Sequence, residues 1–255
     1  LNLTGQPSLR PMQWVPDAFN LRGFQVSLSP QSAPTFASYF APSAAHAGPS
    51  AFRLDPTLGV WASVVPAVDR VRSGEAYWVY CQGASTYPGP LKVKLDQGDG
   101  LDFGKILQRQ DLFLQNLADN NMGVGINDLS GSSAGPLSLI VLGTNGFVPQ
   151  LLPATFSTVI SHGLTERLQL AVRRKDITGT NYATILEITN NLGSRVLLRV
   201  SAEKLTGQGS ATPYAGLWVG SASVSNVCEV NSLVNSTNPT PTKSPFDLRL
   251  LIHVD

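Results

Sequence analysis

The chain has 255 residues, of which 14% are charged and 42% hydrophobic, and its formal net charge is +1. A net charge this close to zero provides no general attraction to nucleic acid or to an anionic membrane. No uninterrupted apolar run is long enough to cross a bilayer as a helix. The 23 glycines and 18 prolines, together with the lack of a sustained helical period, predict an all-β protein with one large or two to three small domains.

Residues 1–98 are predicted to form an N-terminal β unit. Residues 35–40 could make one helical turn, and the DQGDG stretch at 96–100 has the turn residues of a domain boundary. The LKVKL stretch alternates, which predicts a strand with Lys92 and Lys94 facing solvent. The strand candidates of this unit are residues 23–28, 59–64, 76–81 and 91–95.

The clearest alternation in the chain lies within residues 168–200. Leu168, Leu170 and Val172 alternate with Gln169 and Ala171, as expected for a strand with one buried face. Two further strands flank the NNLG stretch at 190–193, whose residues favour a turn. These last two strands are therefore predicted to form a hairpin.

The stretch RRKDITGTNYATILEITNNLGSRVLLRV, residues 173–200, resembles the last strands of immunoglobulin-like repeats in secreted bacterial proteins, including BACON-type domains. The LDFG stretch at 101–104 and LFLQNLADNNMGVGI at 112–126 are similar to the opening strands of the same module. The W-x-P, N-L-x-G-F and G-E-A-Y-W-V-Y patterns that begin at Trp14, Asn20 and Gly74 resemble uncharacterised secreted multidomain bacterial proteins. These resemblances imply a fold and a secreted location, and they imply no activity.

The middle of the chain, residues 99–206, is accordingly predicted to be an immunoglobulin-like β-sandwich. Short strands separated by turn signals are typical of that fold. Its strands are expected near residues 112–117, 123–127, 137–142, 155–160, 168–174, 183–189 and 195–202.

Residues 207–255 contain two strand candidates, 216–227 and 246–254, around a Ser-, Thr-, Asn- and Pro-rich segment at 235–245. Two strands cannot hold a stable domain alone. They are predicted to pair with residues 1–98 or with another chain. In the first case, the N-terminal and C-terminal parts would build a second β-sandwich or β-sheet unit.

The aromatic residues are the strongest candidates for recognition. In the YWVY stretch, alternation places Tyr77 on one face and Trp78 and Tyr80 on the other, so that one face belongs to the core. The second face is either covered or exposed. If it is exposed, Trp61, Trp78, Tyr80 and Tyr87 could form a surface that stacks on sugar rings or anchors a protein contact.

Cys81 and Cys228 leave two alternatives open. In an oxidising compartment they could form a disulfide between distant parts of the chain. They could equally be two separate buried thiols that pack as small hydrophobic groups.

Candidate catalytic and metal-binding residues have plainer explanations. Ser133 lies in a G-x-S-x-G string, but a proline and a β-type run follow it where a hydrolase needs a helix. His46, His162 and His253 lack the spacing of metal ligands. Asp96, Asp99 and Asp102 do not match a calcium loop. No catalytic residue, metal site or cofactor is therefore predicted.

These observations favour a non-catalytic extracellular structural or assembly protein, such as a subunit of a surface layer, fibre or scaffold. Its partners would be proteins, either other copies of the chain or a surface assembly, contacted through β-sandwich modules and edge strands. The alternative is a carbohydrate-binding module that binds a polysaccharide through exposed aromatic residues.

Overall fold

A computed structural model describes residues 5–130, 135–143, 146–204, 216–224 and 246–254, the last two ranges as backbone only. The protein is all-β, as predicted, and strands far outnumber helical segments. It divides into two compact units, Leu1–Leu205 and Thr206–Asp255. No helix among the described residues is long and apolar enough to span a membrane.

The first unit begins with a four-stranded antiparallel sheet, here called the N-terminal sheet. Its strands follow the order β1-β4-β2-β3. The bounds are β1 Ala18–Gly23, β2 Ala51–Leu54, β3 Trp61–Ser63 and β4 Ala76–Cys81.

One face of this sheet is covered by a short helix, α1 (Phe36–Phe40), and a 3₁₀ turn, Ala44–His46. The helix begins where the Thr35 side chain accepts a hydrogen bond from the Ser38 backbone N–H at 3.2 Å, which satisfies one free donor of the first turn. Phe36, Tyr39 and Phe40 are buried, so the helix contributes aromatic rings to the core.

The rest of the first unit is a β-sandwich of two five-stranded sheets. Sheet A has the order β10-β9-β12-β7-β5, and sheet B has the order β11-β8-β13-β14-β6. All pairs in these two sheets are antiparallel except β14 with β6. The bounds are β5 Leu91–Leu95, β6 Leu101–Asp102, β7 Arg109–Asn116, β8 Met122–Asp128, β9 Leu137–Gly143, β10 Gly146–Leu151, β11 Thr155–Ile160, β12 Thr165–Val172, β13 Asn181–Asn190 and β14 Arg195–Glu203, with a 3₁₀ turn at Arg174–Asp176.

The inner faces of both sheets share one hydrophobic core. The alternation of apolar and polar side chains along the strands produces this core, because every second residue of each long strand points inward. The fully buried core side chains include Leu112, Leu114, Met122, Ile126, Leu137, Leu170 and Leu186.

A hairpin turn of the sandwich holds the N-terminal part against it. The Gly193 carbonyl accepts a hydrogen bond from Ser27 N–H at 2.9 Å, and Arg195 N–H donates to the Gln25 carbonyl at 3.0 Å. Gly193 has a φ of +79°, and a Cβ there would lie 2.2 Å from the Ser32 carbonyl oxygen. Only glycine therefore fits this turn without displacing the backbone next to it.

Seven strands predicted for the sandwich are present, and the hairpin around residues 190–193 is confirmed as β13–β14. The strand predicted at 23–28 is wrong in position, because the strand that pairs with β4 lies at Ala18–Gly23 and Val26 forms only an isolated bridge with Ser194. β5 was assigned to the N-terminal unit from sequence, but it pairs with β7 of sheet A. The domain limits at residues 98 and 206 stay a prediction.

The second unit contains β15 (Gly216–Val224) and β16 (Phe246–Val254), which pair with each other in antiparallel register from Gly216–Val254 to Val224–Phe246. The predicted pairing of these strands with residues 1–98 or with another chain stays a prediction.

Candidate functional site: an aromatic face on the N-terminal sheet

The two faces of the N-terminal sheet differ in what covers them. On β4, Tyr77, Val79 and Cys81 are buried, whereas Trp78 and Tyr80 between them are half-buried. Tyr77 packs edge-on against Phe36 of α1, with 4.9 Å between ring centroids. The inner face is therefore core, and the outer face carries the other residues of the alternation.

Cross-strand pairing collects further apolar residues on the outer face. In the ladders, Phe19 pairs with Tyr80, Leu21 and Phe52 both pair with Trp78, and Leu54 pairs with Trp61. Directly opposed residues of antiparallel strands point to the same side. We call this surface the aromatic face, which consists of Phe19, Leu21, Phe52, Leu54, Trp61, Trp78 and Tyr80.

The rings of the aromatic face contact one another edge-on. Phe19 lies 5.3 Å from Tyr80 and 5.6 Å from Phe52, each at an interplanar angle of 63°. Trp61 lies 6.1 Å from Trp78 at 64°. T-shaped pairs are a favourable aromatic geometry, so the rings hold one another in place without a covering layer.

Much of this apolar surface is open to solvent. The exposed fraction is 44% for Phe19, 48% for Leu21, 48% for Leu54 and 43% for Trp61. Single exposed apolar residues are common on proteins, whereas a contiguous set on one sheet face is typical of interaction surfaces.

The structure thus brings together three of the four residues predicted as an aromatic recognition surface, Trp61, Trp78 and Tyr80. The prediction that Tyr87 belongs to this surface is wrong, because Tyr87 is buried and lies outside the aromatic face. Its hydroxyl donates to the Tyr39 carbonyl at 2.5 Å, and its own carbonyl accepts from Trp14 Nε1 at 2.8 Å. Burial also raises the pKa of the Tyr87 phenol, which stays neutral.

Sequence reasoning missed Phe19, Leu21, Phe52 and Leu54. The AFNLRG stretch does alternate apolar and polar residues, so a period-two signal was available for Phe19 and Leu21. Phe52 and Leu54 lie on a four-residue strand, where so short an alternation cannot be distinguished from a loop.

The histidines that the structure describes with side chains are held within the fold. His46 is buried against Trp14 and Phe40, with ring centroids 4.3 and 4.8 Å away, and its Nδ1 hydrogen-bonds Ser43 Oγ at 2.7 Å. Burial lowers the pKa of His46 to about 4. His162 Nδ1 lies 2.6 Å from the Ala118 carbonyl oxygen. Of His253, the structure gives only the backbone, in β16.

The aspartates considered for calcium have protein partners. Asp99 accepts from Ser8 Oγ and from Arg199 Nη2, both at 2.6 Å. Asp102 accepts from Ser201 Oγ at 2.9 Å, and Asp96 contributes to the environment of Asp111 and Arg167. Among the described residues, no group of three or more histidines, cysteines, aspartates or glutamates could hold a metal ion.

Two predictions depend on residues outside those described. Cys81 is buried, burial raises the pKa of its thiol, and the thiol donates to the Gly83 carbonyl at 3.3 Å. Cys228, its candidate disulfide partner, lies outside the described residues, so the disulfide and the two separate thiols both stay open. Ser133 also lies outside them.

The chain matches no protein-family model and no curated protein. Among solved structures, a PapD-like domain of human CEP192 is similar over 47% of this chain and 87% of that domain, with 9% identity and a TM-score of 0.30. The Vibrio cholerae VesB protease is similar over 60% of this chain and 49% of its own, with 15% identity and a TM-score of 0.28.

A third similar structure is ACE19, the collagen-binding subdomain of the Enterococcus faecalis surface protein ACE. It is similar over 47% of this chain and 97% of that subdomain, with 8% identity and a TM-score of 0.22. Scores this low carry no argument about function. The resemblance to BACON-type and secreted bacterial modules is not shown by these comparisons and stays a prediction.

Proposed function

We propose that this chain is a non-catalytic structural or assembly protein of the extracellular space or cell surface, and that it contacts protein through the aromatic face of its N-terminal sheet. The observation that carries the proposal is the exposure of contiguous aromatic and aliphatic side chains on the outer side of a sheet whose inner side packs on a core of aromatic residues. The extracellular location rests on the resemblance to secreted bacterial modules.

The composition of the aromatic face supports a protein contact. Tyr, Trp and Phe are enriched where protein interfaces bury their central residues, and charged side chains are depleted there. The face carries two tryptophans, two phenylalanines, one tyrosine and two leucines, and none of its seven residues is charged.

The rigidity of the face supports the same proposal. The edge-on contacts among Phe19, Tyr80 and Phe52 restrict the rings before any partner arrives. A preformed surface loses little side-chain entropy on binding, so more of the apolar burial remains as affinity.

Carbohydrate binding is the alternative, since the exposed Trp61 and the half-buried Trp78 could stack on sugar rings. However, their ring planes are inclined by 64°, so the two rings cannot lie flat along one sugar chain. An affinity gel with insoluble polysaccharides tests this alternative. Retention of the wild type that is lost in Trp61→Ala would establish it.

Sedimentation velocity over a range of protein concentrations tests the assembly proposal. We expect the wild type to form larger species as concentration rises, and Phe52→Ser combined with Trp78→Ser to sediment as a monomer. The matched control is Phe147→Ser, which removes a 70% exposed phenylalanine from β10. A monodisperse wild-type monomer at high concentration, or equal loss of assembly in the control, contradicts the proposal.

A further inference from the structure

A second surface feature, separate from the aromatic face, is a cleft of about 740 Å³ within the first unit. All five residues of β5 form one wall, and residues 8–13 and 22–25 form much of the other. Its volume lies in the range of about 300–1,000 Å³ that is usual for ligand sites. We call it the β5 cleft.

The wall formed by β5 is an open sheet edge. β5 is the last strand of sheet A and pairs only with β7 among the described strands. The Leu117 N–H donates to the Pro90 carbonyl at 2.9 Å, which makes this the first hydrogen-bonded position of the ladder. Bonded positions alternate in antiparallel pairs, so Lys92 and Lys94 also bond to β7.

The same alternation turns the backbone groups of Leu91, Val93 and Leu95 away from β7, toward the cleft. Within the part of the chain that the structure describes, none of these backbone groups has a hydrogen-bond partner. A row of free N–H and C=O groups is a template for one more strand.

The side chains of β5 point alternately to an apolar face and a basic face, and this alternation determines which kind of strand can pair with β5. Leu91, Val93 and Leu95 pack against the sandwich core, and Leu9 from the opposite wall also contacts that core. Lys92 and Lys94 lie on the other face of the strand. A strand added beside β5 would therefore meet apolar groups with one set of alternate residues and lysines with the other set.

The charges around the cleft have one sign. Arg10, Arg22, Lys92 and Lys94 line it, and no aspartate or glutamate is among its lining residues. The nearby Asp99 already accepts from Ser8 and from Arg199. The lining therefore complements an anionic partner.

Arg22 has an unused hydrogen-bond donor at this surface. Its guanidinium lies 5.7 Å from the Trp14 ring centroid and donates to the Gln13 carbonyl. Its Nε is buried and has no hydrogen-bond partner among the described residues.

We propose that the β5 cleft binds an extended peptide segment of a partner protein, in which acidic and apolar residues alternate, as an additional strand of sheet A. Main-chain hydrogen bonds to Leu91, Val93 and Leu95 hold the segment. Its acidic side chains lie beside Lys92 and Lys94, and its apolar ones lie toward Val93 and Leu95. This contact does not depend on the aromatic face.

Fluorescence anisotropy with a labelled peptide of about eight residues, alternating Glu and Val, tests the proposal, since this length matches common strands. Two matched peptides serve as controls: one with Lys in place of Glu, and one with the Glu-Val sequence N-methylated at alternate amides. We expect the acidic peptide to bind and the basic peptide not to bind. N-methylation of the amides that face β5 should weaken binding about tenfold, because it removes main-chain donors.

Protein variants address the same contact from the other side. Val93→Pro removes an N–H that faces the cleft but none that bonds β7, so the fold should persist while peptide affinity falls about tenfold. Lys92→Glu combined with Lys94→Glu should abolish binding of the acidic peptide. Lys175→Glu, an exposed lysine outside the cleft, is the charge control and should change affinity less than about twofold. Thermal melting verifies that each variant is folded.

Three outcomes would overturn the proposal. The first is that the acidic peptide does not bind the folded wild type. The second is that N-methylation and Val93→Pro leave affinity unchanged, since charge alone would then hold the peptide. The third is that inorganic phosphate displaces the peptide as effectively as unlabelled peptide does. Peptide affinity in the Phe52→Ser, Trp78→Ser protein should equal that of the wild type, which separates this site from the proposed assembly surface.

Discussion

The N-terminal sheet and the sandwich have the same alternation but differ in what their outward residues are. In the sandwich, outward positions of the inner strands β7, β12, β13 and β14 carry ion pairs, such as Arg167 with Asp111 at 2.6 Å and Arg195 with Glu187 at 2.5 Å, whereas the edge strand β10 exposes Phe147. In the N-terminal sheet, the corresponding outward positions carry the rings and leucines of the aromatic face.

This difference shows that the aromatic face is a property of its sequence and not of sheet geometry. Both regions satisfy their backbone through antiparallel ladders and bury an inward apolar face. Polar outward residues keep a sheet soluble and unpaired, whereas apolar outward residues leave surface that binding can still remove from water. The following predictions test whether the inward residues supply stability in both regions while the outward residues do not.

The largest expected effect separates the two faces of β4. Tyr77→Ala should lower the free energy of unfolding by about 4 kcal/mol, because it leaves a cavity beside Phe36. It also leaves the Arg72 N–H without its acceptor. Tyr80→Ala, on the aromatic face, should cost under about 1 kcal/mol. Urea unfolding followed by tryptophan fluorescence measures both, and equal losses would show that the outer face also contributes to the core.

A buried polar residue of the sandwich tests whether inward residues supply the stability there as well. Asn116 is fully buried, its amide donates to the Asn120 and Ile160 carbonyls at 2.8 and 3.0 Å, and its Oδ1 accepts from Ala118 N–H at 2.9 Å. Asn116→Leu removes three hydrogen bonds to backbone groups and should cost about 3 kcal/mol in urea unfolding. Its outward neighbour Gln115→Leu should change stability by less than about 0.5 kcal/mol. A near-neutral Asn116→Leu would show that water replaces the lost contacts.

Lowering the pH should destabilise the N-terminal core, because it favours protonation of the buried His46 ring. Because burial lowers the folded-state pKa of His46 to about 4 from an ordinary value of 6.5, the unfolded chain binds more protons between these two pH values. Stability contributed by the neutral ring is therefore complete above pH 6.5 and is lost as pH falls toward 4.

Thermal melting of wild type and His46→Leu between pH 7 and pH 4 measures this loss. The His46→Leu variant should show a flatter dependence of stability on pH than the wild type. Parallel curves for wild type and His46→Leu would contradict the assignment.

The smallest expected effect concerns an outward ion pair of the sandwich. Arg195 and Glu187 are each 19% exposed in their side chains, and Nε lies 2.5 Å from Oε1. A double-mutant cycle with Arg195→Ala and Glu187→Ala should give a coupling of about 0.5 kcal/mol. A coupling above about 2 kcal/mol would show that outward residues of the sandwich do carry stability.

The sequence was sufficient to predict the strands whose inward residues alternate over several positions. β4 and β16 have the predicted limits, and β13 and β14 lie within one or two residues of them. β10 and β2 were not predicted, since β2 has only four residues and β10 is interrupted by Pro149. The local sequence pattern predicts that a strand is present. It does not predict which strand pairs with it, and the pairing of β5 with β7 depends on tertiary contacts that alternation does not specify.

The site was predictable in part for a similar reason. Alternation correctly separated Tyr77 from Trp78 and Tyr80, but it could not determine which face helix α1 covers. Tyr87 was misassigned because an aromatic residue in a loop resembles an exposed one until its partners are known. Its hydroxyl and carbonyl bonds to Tyr39 and Trp14 join positions 48 and 73 residues apart.

The tight turn at Gly193 has a consequence for any assembly that this chain forms. Because that turn bonds Ser27 and leaves no room for a side chain, the N-terminal sheet is locked in one direction against the sandwich strands. Copies joined through this one face on each partner would be related by a two-fold axis and close as a dimer, whereas contact of this face with a different surface would repeat with a constant rotation and translation as a ring or filament. A larger residue at position 193 would then disturb the regularity of the assembly before it weakened any single contact.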